Sequence, residues 1–374
     1  MLPLPDEVPA KECEKIIGCY YEINFPDDDG GLLINDIDIH LCTHVFVRYG
    51  GIGTNASVEI DEPYRDVEKG LKDFNNLRKK NPKLKTIISM QVEYDESTNN
   101  NDFIILTDPN LRENLVNNII KFVKKYGFNG IDIDYSEPPS RSGHPSEKKN
   151  FVLLLKTLRE RFDKESLILS VKVDPNEATA KRFYDIKGIT TYVNFINLKT
   201  YEFHGNFQEE KKVGHTSPIY HSSKETGEER KRNIDYVVKY WISQFAPPSK
   251  LILGTTFNGA SYTLANSRQI GDGAPTTEEH GQYYAFTGYN QICNLIKKWT
   301  YFYDKEQQVP YIYKGNQIIA YDDVPSLMVK AEYAKKMQLG GVMVDSIDDD
   351  DYAGACGEKF VLLKTLNRVF RSKC

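Results

Sequence analysis

Apolar, β-branched runs recur along the chain at residues 16–21, 43–49, 84–92, 130–135, 167–173, 193–200, 251–257 and 341–345. Several are almost unbroken Val, Ile and Leu, the pattern of strands covered on both faces in a parallel sheet. Between the runs the apolar spacing changes to that of a helix. Residues 111–126 put Leu115, Ile119, Phe122 and Val123 on one stripe, and residues 151–162 do the same with Leu154, Leu155 and Leu158. Asp108-Pro109 supplies a helix start. Residues 328–337 and 360–370 supply the last two helices. Eight strand–helix units predict an α/β fold, a (β/α)8 TIM barrel.

The rhythm breaks once. Residues 258–324 hold a Gly/Pro/Thr-rich stretch at 271–277, several aromatics and a hairpin pattern at 309–320 around Lys314-Gly315-Asn316. That length exceeds a loop, so a small α+β insertion is expected between strand seven and helix seven. The expected division is a barrel built from residues 14–257 and 325–374, with an insertion domain at 258–324. Polar segments at 93–102 and 207–232 are expected to be loops.

Composition agrees with a large buried core: 40% of the 374 residues are hydrophobic and 27% are charged. The net charge is -5. The Lys/Arg clusters (Lys79-Lys80, Lys148-Lys149, Arg230-Lys231-Arg232) are short and flanked by acids, so they read as solvated helix faces, and no nucleic-acid partner is expected. No apolar run reaches the ~20 residues of a membrane span. The opening Met1-Leu2-Pro3-Leu4-Pro5-Asp6 has neither the basic start nor the apolar core of a signal peptide, which leaves a cytosolic protein or the mature form of a secreted one.

Six cysteines, Cys13, Cys19, Cys42, Cys293, Cys356 and Cys374, contain no CxxC pair. Three disulfides in a secreted protein is the reading adopted, against six buried thiols in a cytosolic one. Asn55-Ala56-Ser57 is a glycosylation sequon, so Asn55 is a candidate glycan site.

The candidate chemistry lies in Asn129-Gly130-Ile131-Asp132-Ile133-Asp134-Tyr135-Ser136. Side chains alternate along a strand, so Asp132, Asp134 and Ser136 share a face. In the fourth strand of a barrel that face points inward, and the strand's C-terminal end opens at the catalytic rim. Carboxylates there need partners. Lys172 on the fifth strand and Lys199 on the sixth are candidates, and a purely structural acid–base plug is the alternative to a site.

This segment resembles the signature of glycoside hydrolase family 18, whose fourth strand reads Asp-Gly-x-Asp-x-Asp-x-Glu. The similarity runs through residues 16–370, including Ile17-Gly18-Cys19-Tyr20-Tyr21, Leu41-Cys42-Thr43-His44-Val45, Tyr201-Glu202-Phe203-His204-Gly205 and Gly340-Gly341-Val342-Met343. It implies a general acid at the position of Ser136, with the substrate's own acetamide as nucleophile. A serine hydroxyl cannot fill that role, since the acid must titrate near neutral pH. The motif Asp132, Asp134, Ser136 therefore reads as a remnant, and no catalytic residue is assigned.

The family's sugar-stacking tryptophans are also missing. Their positions match Asn24, the segment Ser89–Glu93, and Asp345; an apolar position is Lys199, and strand seven continues into Asn258-Gly259-Ala260. The two tryptophans present, Trp241 and Trp299, are read as helix packing and as packing or sugar contact, respectively. Glu93, Asp345, Lys172 and Lys199 charge the pocket. Candidate ligand-binding residues are Asp134, Tyr135, Ser136, Tyr201, Glu202 and Asp345. A hard cation on Asp132, Asp134 and Asp345 would compete with the lysines for the same carboxylates, and neither metal nor cofactor is expected.

The resemblance also implies the bridges Cys19–Cys42 and Cys293–Cys356. The two remaining cysteines, Cys13 and Cys374, fall at the bottom face of a barrel and are expected to pair. The expectation is a secreted, monomeric, chitinase-like pseudoenzyme that binds a protein partner or a carbohydrate other than plain chitin. A chitin-oligosaccharide lectin and an active N-acetylglucosaminide hydrolase using Glu137 are the alternatives.

Overall fold

A computed structural model describes residues 15–23, 31–48, 50–53, 55–60, 67–92, 94–95, 100–137, 145–205, 211–280 and 286–372. Eight parallel strands close into a barrel. In chain order they are Ile16–Tyr21, His44–Arg48, Lys85–Gln91, Gly130–Asp134, Ile168–Val173, Phe195–Leu198, Leu251–Thr255 and Gly341–Val344. The last strand pairs with both the first and the seventh, which closes the ring.

The helices form where their end signals are strong. Pro109–Tyr126 starts at Asp108, whose carboxylate accepts the Asn110 and Leu111 backbone N–H groups, and stops at Gly127 with φ 76°. It buries Leu115, Val116, Ile119 and Val123 against the barrel, while Phe122 packs at the edge of the same core. Val324–Lys336 begins earlier than the apolar spacing alone predicts. There Asp323 and Ser326 exchange backbone and side-chain hydrogen bonds in a capping box, with Pro325 in the first turn.

The expected loop at 93–102 differs from the structure. Tyr94–Asp95 pairs with Asn100–Asn101, and a helix follows at Asp102–Thr107. Elements this short carry too few positions for either periodicity to register.

After the seventh strand the chain builds a second, antiparallel sheet. Its strands run in the order Thr276–His280, Asn258–Leu264, Gln317–Ala320, Val309–Lys314 and Thr300–Asp304, and Phe286–Gly288 also pairs with Asn258–Leu264. Lys314 and Gln317 are partners across the hairpin, so Gly315 takes the positive φ (62°) that a two-residue turn demands. The helix Tyr289–Ile296 completes this part.

One glycine fixes how closely the site strands approach. A Cβ at Gly130 would fall on the Ile168 carbonyl, so the start of the fourth strand can lie against the fifth only without a side chain. That approach sets Asp132 beside Ser170 and Asp134 beside Lys172.

Disulfides join Cys19 to Cys42 and Cys293 to Cys356. Cys13 and Cys374 lie outside the described residues. The bridges close loops of 23 and 63 residues, so chain entropy gives upper bounds of about 3 and about 4 kcal/mol. Cys356→Ser is therefore expected to lower stability more than Cys42→Ser, each by a few kcal/mol, as read by urea denaturation of the two variants.

Candidate functional site

The pleat of the fourth strand divides its side chains between two environments. Ile131 and Ile133 join the apolar shell under the helices, and Asp132 and Asp134 face the barrel interior. Asp132 is fully buried and is held by neutral donors alone. Tyr20 Oη and Ser89 Oγ donate to its Oδ2 at 2.7 and 3.0 Å. Ser170 Oγ and Asn197 Nδ2 donate to Oδ1 at 2.6 and 3.2 Å. Burial raises the pKa of Asp132 above the ordinary carboxylate value, although the hydrogen bonds from Ser170 and Tyr20 oppose it.

Asp134 is in a different electrostatic setting. Its Oδ2 lies 3.1 Å from Lys172 Nζ, and its Oδ1 accepts the Ser136 hydroxyl at 2.6 Å and the Ser136 backbone N–H at 3.1 Å. Burial pushes this carboxyl up, but the Lys172 charge and the Ser136 hydroxyl outweigh burial and hold it below the ordinary value. The two aspartates are thus driven apart in acidity by their partners.

Lys172 is the hub. Its ammonium reaches Asp134 on the fourth strand and Asp345 Oδ2, 2.9 Å away, just past the eighth. Burial lowers its pKa, with Asp134 pulling the other way. Asp345 also accepts the Tyr201 hydroxyl on Oδ2 and pairs with Arg48 through Oδ1. Lys172 Nζ and the Arg48 guanidinium lie 5.2 and 5.7 Å from the Tyr20 ring centroid, and that ring is stacked on Phe46. At the rim Lys199 pairs with Glu202 at 2.8 Å. Burial would lower Lys199, but Glu202 and, further off, Glu137 raise it.

The fold therefore gathers Asp132, Asp134, Ser136, Tyr201 and Asp345 around Lys172, and Glu202 stands beside them on Lys199. Tyr135 is a correction. It is 1% exposed, stacks on Phe151 at 4.0 Å and belongs to the shell between strand and helix, because alternation sends it away from its neighbours. Trp241 is fully buried and donates to the Pro175 carbonyl, and Trp299 packs half-buried against the core. Asn24 and Glu93 lie outside the described residues. Glu137 and Asn55 are exposed, Asn55 in a turn.

Sequence reasoning missed Arg48. Its signal was a lone cation at the C-terminal end of an apolar strand, where a barrel places its site. As for metals, among the described residues Asp132, Asp134 and Asp345 do not form one ligand set. The set that does form contains Cys293 and Cys356, whose sulfurs are bonded to each other.

The sequence model described as glycosyl hydrolases family 18 matches residues 16–350. Mouse chitotriosidase-1 is 33% identical over 347 residues, 89% of this chain and 73% of that protein. A probable chitinase 2 from Drosophila melanogaster is 30% identical over 92% of this chain and 74% of its own. Among solved structures, the Group IV chitinase of Ostrinia furnacalis superposes with a TM-score of 0.88 at 31% identity, covering 96% of this chain and all of that one. Human YKL-39, described as a pseudo-chitinase with retained chitooligosaccharide binding, gives 0.84 at 29% identity, covering 96% of this chain and 100% of its own.

Removing the hub cation should leave the buried Asp134 without a cationic partner, while Asp345 keeps Arg48. Lys172→Met is expected to lower stability by about 3 kcal/mol or more. The double variant Lys172→Met/Asp134→Asn should recover part of that loss in the same denaturant titration, because the stranded charge is gone.

Proposed function

The chain belongs to glycosyl hydrolase family 18, and from that premise we propose that it is a secreted binding protein without hydrolytic activity. Ser136 stands at the position where the family resemblance calls for a glutamate general acid. The observation that carries the reading is the fate of that hydroxyl, which donates to Asp134 at 2.6 Å and so completes an ion network instead of facing a leaving group.

Neither remaining acid of the fourth-strand motif replaces the missing donor. Asp134 is held in its ionised form by Lys172 and Ser136, so it has no proton to give near neutral pH. Asp132 is the more basic of the two, but it is sealed beneath Tyr20 and saturated by four donors. Asp345 occupies the place of the sugar-stacking floor. It is tied to Lys172, Arg48 and Tyr201, and a charged group presents no apolar face for a pyranose ring. These features favour a protein partner, or a carbohydrate richer in polar contacts than plain chitin, with Ser136, Tyr201, Glu202 and Asp345 bordering the ligand site. The two disulfides favour secretion, and a monomer is the proposed state.

Hydrolysis through Glu137 is the second reading. Its favouring observation is that the Glu137 carboxylate is exposed and its charge is felt by Lys199, which places both on one rim.

Fluorogenic chitooligosaccharides should show no turnover with the parent, and none with a folded Ser136→Glu variant, because restoring the acid leaves the charged floor in place. Calorimetry with chitotetraose should give no affinity tighter than millimolar. Parent turnover that disappears in Glu137→Gln would establish the second reading, and micromolar calorimetric binding would establish a lectin.

A further inference from the structure

On the outer, helical surface of the barrel lies a groove of about 640 Å³. It runs between the helices Pro145–Phe162, Glu177–Phe183 and Ile186–Tyr192 and the C-terminal end of Ile234–Ser243. Its floor is apolar, formed by Val152, Leu153, Ala180 and Ile186. Its rim carries Lys148, Lys149, Lys181 and Lys187 against one acid, Asp185.

That acid is already engaged as the cap of the Gly188 N–H. Lys181 is paired with Glu177, and Lys148 donates to the Lys181 carbonyl. Among the described residues Lys149 and Lys187 have no ion-pair partner, and both are exposed. The groove therefore joins a greasy floor to unsatisfied positive charge.

Phe245 at one end is an independent sign of selection for contact. The helix Ile234–Ser243 closes with Ala246 N–H on the Trp241 carbonyl and Phe245 N–H on the Ile242 carbonyl, the Schellman pattern. The residue at that point must be left-handed, and glycine is its usual occupant. Here a phenylalanine adopts φ 70° and is 80% exposed. Strain and an exposed aromatic ring both act against the isolated fold, and together at the lip of a groove they point to a bound state.

We propose that this groove docks an acidic segment of a partner protein, with an aromatic or aliphatic side chain of that segment on the floor beside Phe245 and its carboxylates on Lys149 and Lys187. The groove's lining contains none of the residues of the barrel-mouth network, so the proposal stands or falls independently of the proposed loss of hydrolysis.

The test uses the full chain and a fluorescein-labelled synthetic peptide of glutamates around one phenylalanine, followed by anisotropy at low salt. Saturable binding is expected, weakened about tenfold by Phe245→Gly and at least as much by Lys149→Glu/Lys187→Glu. Phe245→Gly should melt at the parent temperature or above, since glycine relieves the left-handed strain. Loss of binding in that variant therefore reports the ring rather than damage to the fold. Absence of saturable binding would overturn the proposal. So would binding that ignores Phe245→Gly and is displaced equally by a sulfated polysaccharide, which would make the rim a general polyanion surface.

Discussion

A single buried ammonium organises the centre of this molecule. Lys172 sits on the fifth strand and binds carboxylates at the ends of the fourth and the eighth, so it links elements that are not neighbours in the barrel. Charges in such a place are costly to desolvate, and they persist only as a closed set. The set here is closed by Arg48 and Tyr201 on Asp345 and by Ser136 on Asp134. Each member removes a lone pair or a proton that would otherwise be available to a ligand. The interior charges are satisfied by one another, and that arrangement follows from where the lysine is.

The barrel can hold such a network because strand pleating separates two sets of constraints. Outward positions such as Ile131, Ile133 and Tyr135 pack under helices and set the fold. Inward positions such as Asp132 and Asp134 interact mainly with one another and with groups projected by other strands. Substitutions on the inward face can retire a chemistry without disturbing the apolar shell, which is why a shared fold alone does not establish activity.

How much of this was legible in the sequence depends on the range of the interaction. The eight strands, the helices with caps and the alternating aspartates follow from local periodicity and end signals, and the structure has the barrel they predict. The pairing of Lys172 with Asp345 spans 173 residues, and no local pattern encodes it. Lys172 could be named as a candidate partner from its strand position, but which carboxylate it would take could not. Arg48 carried a positional signal, but its partner did not: Asp345 lies almost 300 residues along the chain and meets it only when the barrel closes. Tyr135 shows the opposite failure. Its direction follows from the two-residue period of its own strand, and grouping it with Asp134 overrode that rule.

A comparison within the chain shows why burial of an ion pair is not itself the sign of a site. Lys330 and Asp322 are also fully buried and paired, with Ser326 donating to the same aspartate. That pair fastens the start of a helix next to the insertion sheet and is supported by the Asp323 capping box. Its groups are all consumed by the helix end they stabilise. The Lys172 constellation has no such local element to hold together. Its members come from the second, fourth, fifth and eighth strands and the segment after the sixth, and they converge at the end of the barrel where side chains of separate strands can face one guest. Position relative to the strand ends, more than burial or charge, is what marks a candidate site. By the same logic the polar groups left at its edge, Glu202 and Lys199, are where any remaining recognition at the barrel mouth has to begin, because they are paired but still reach solvent.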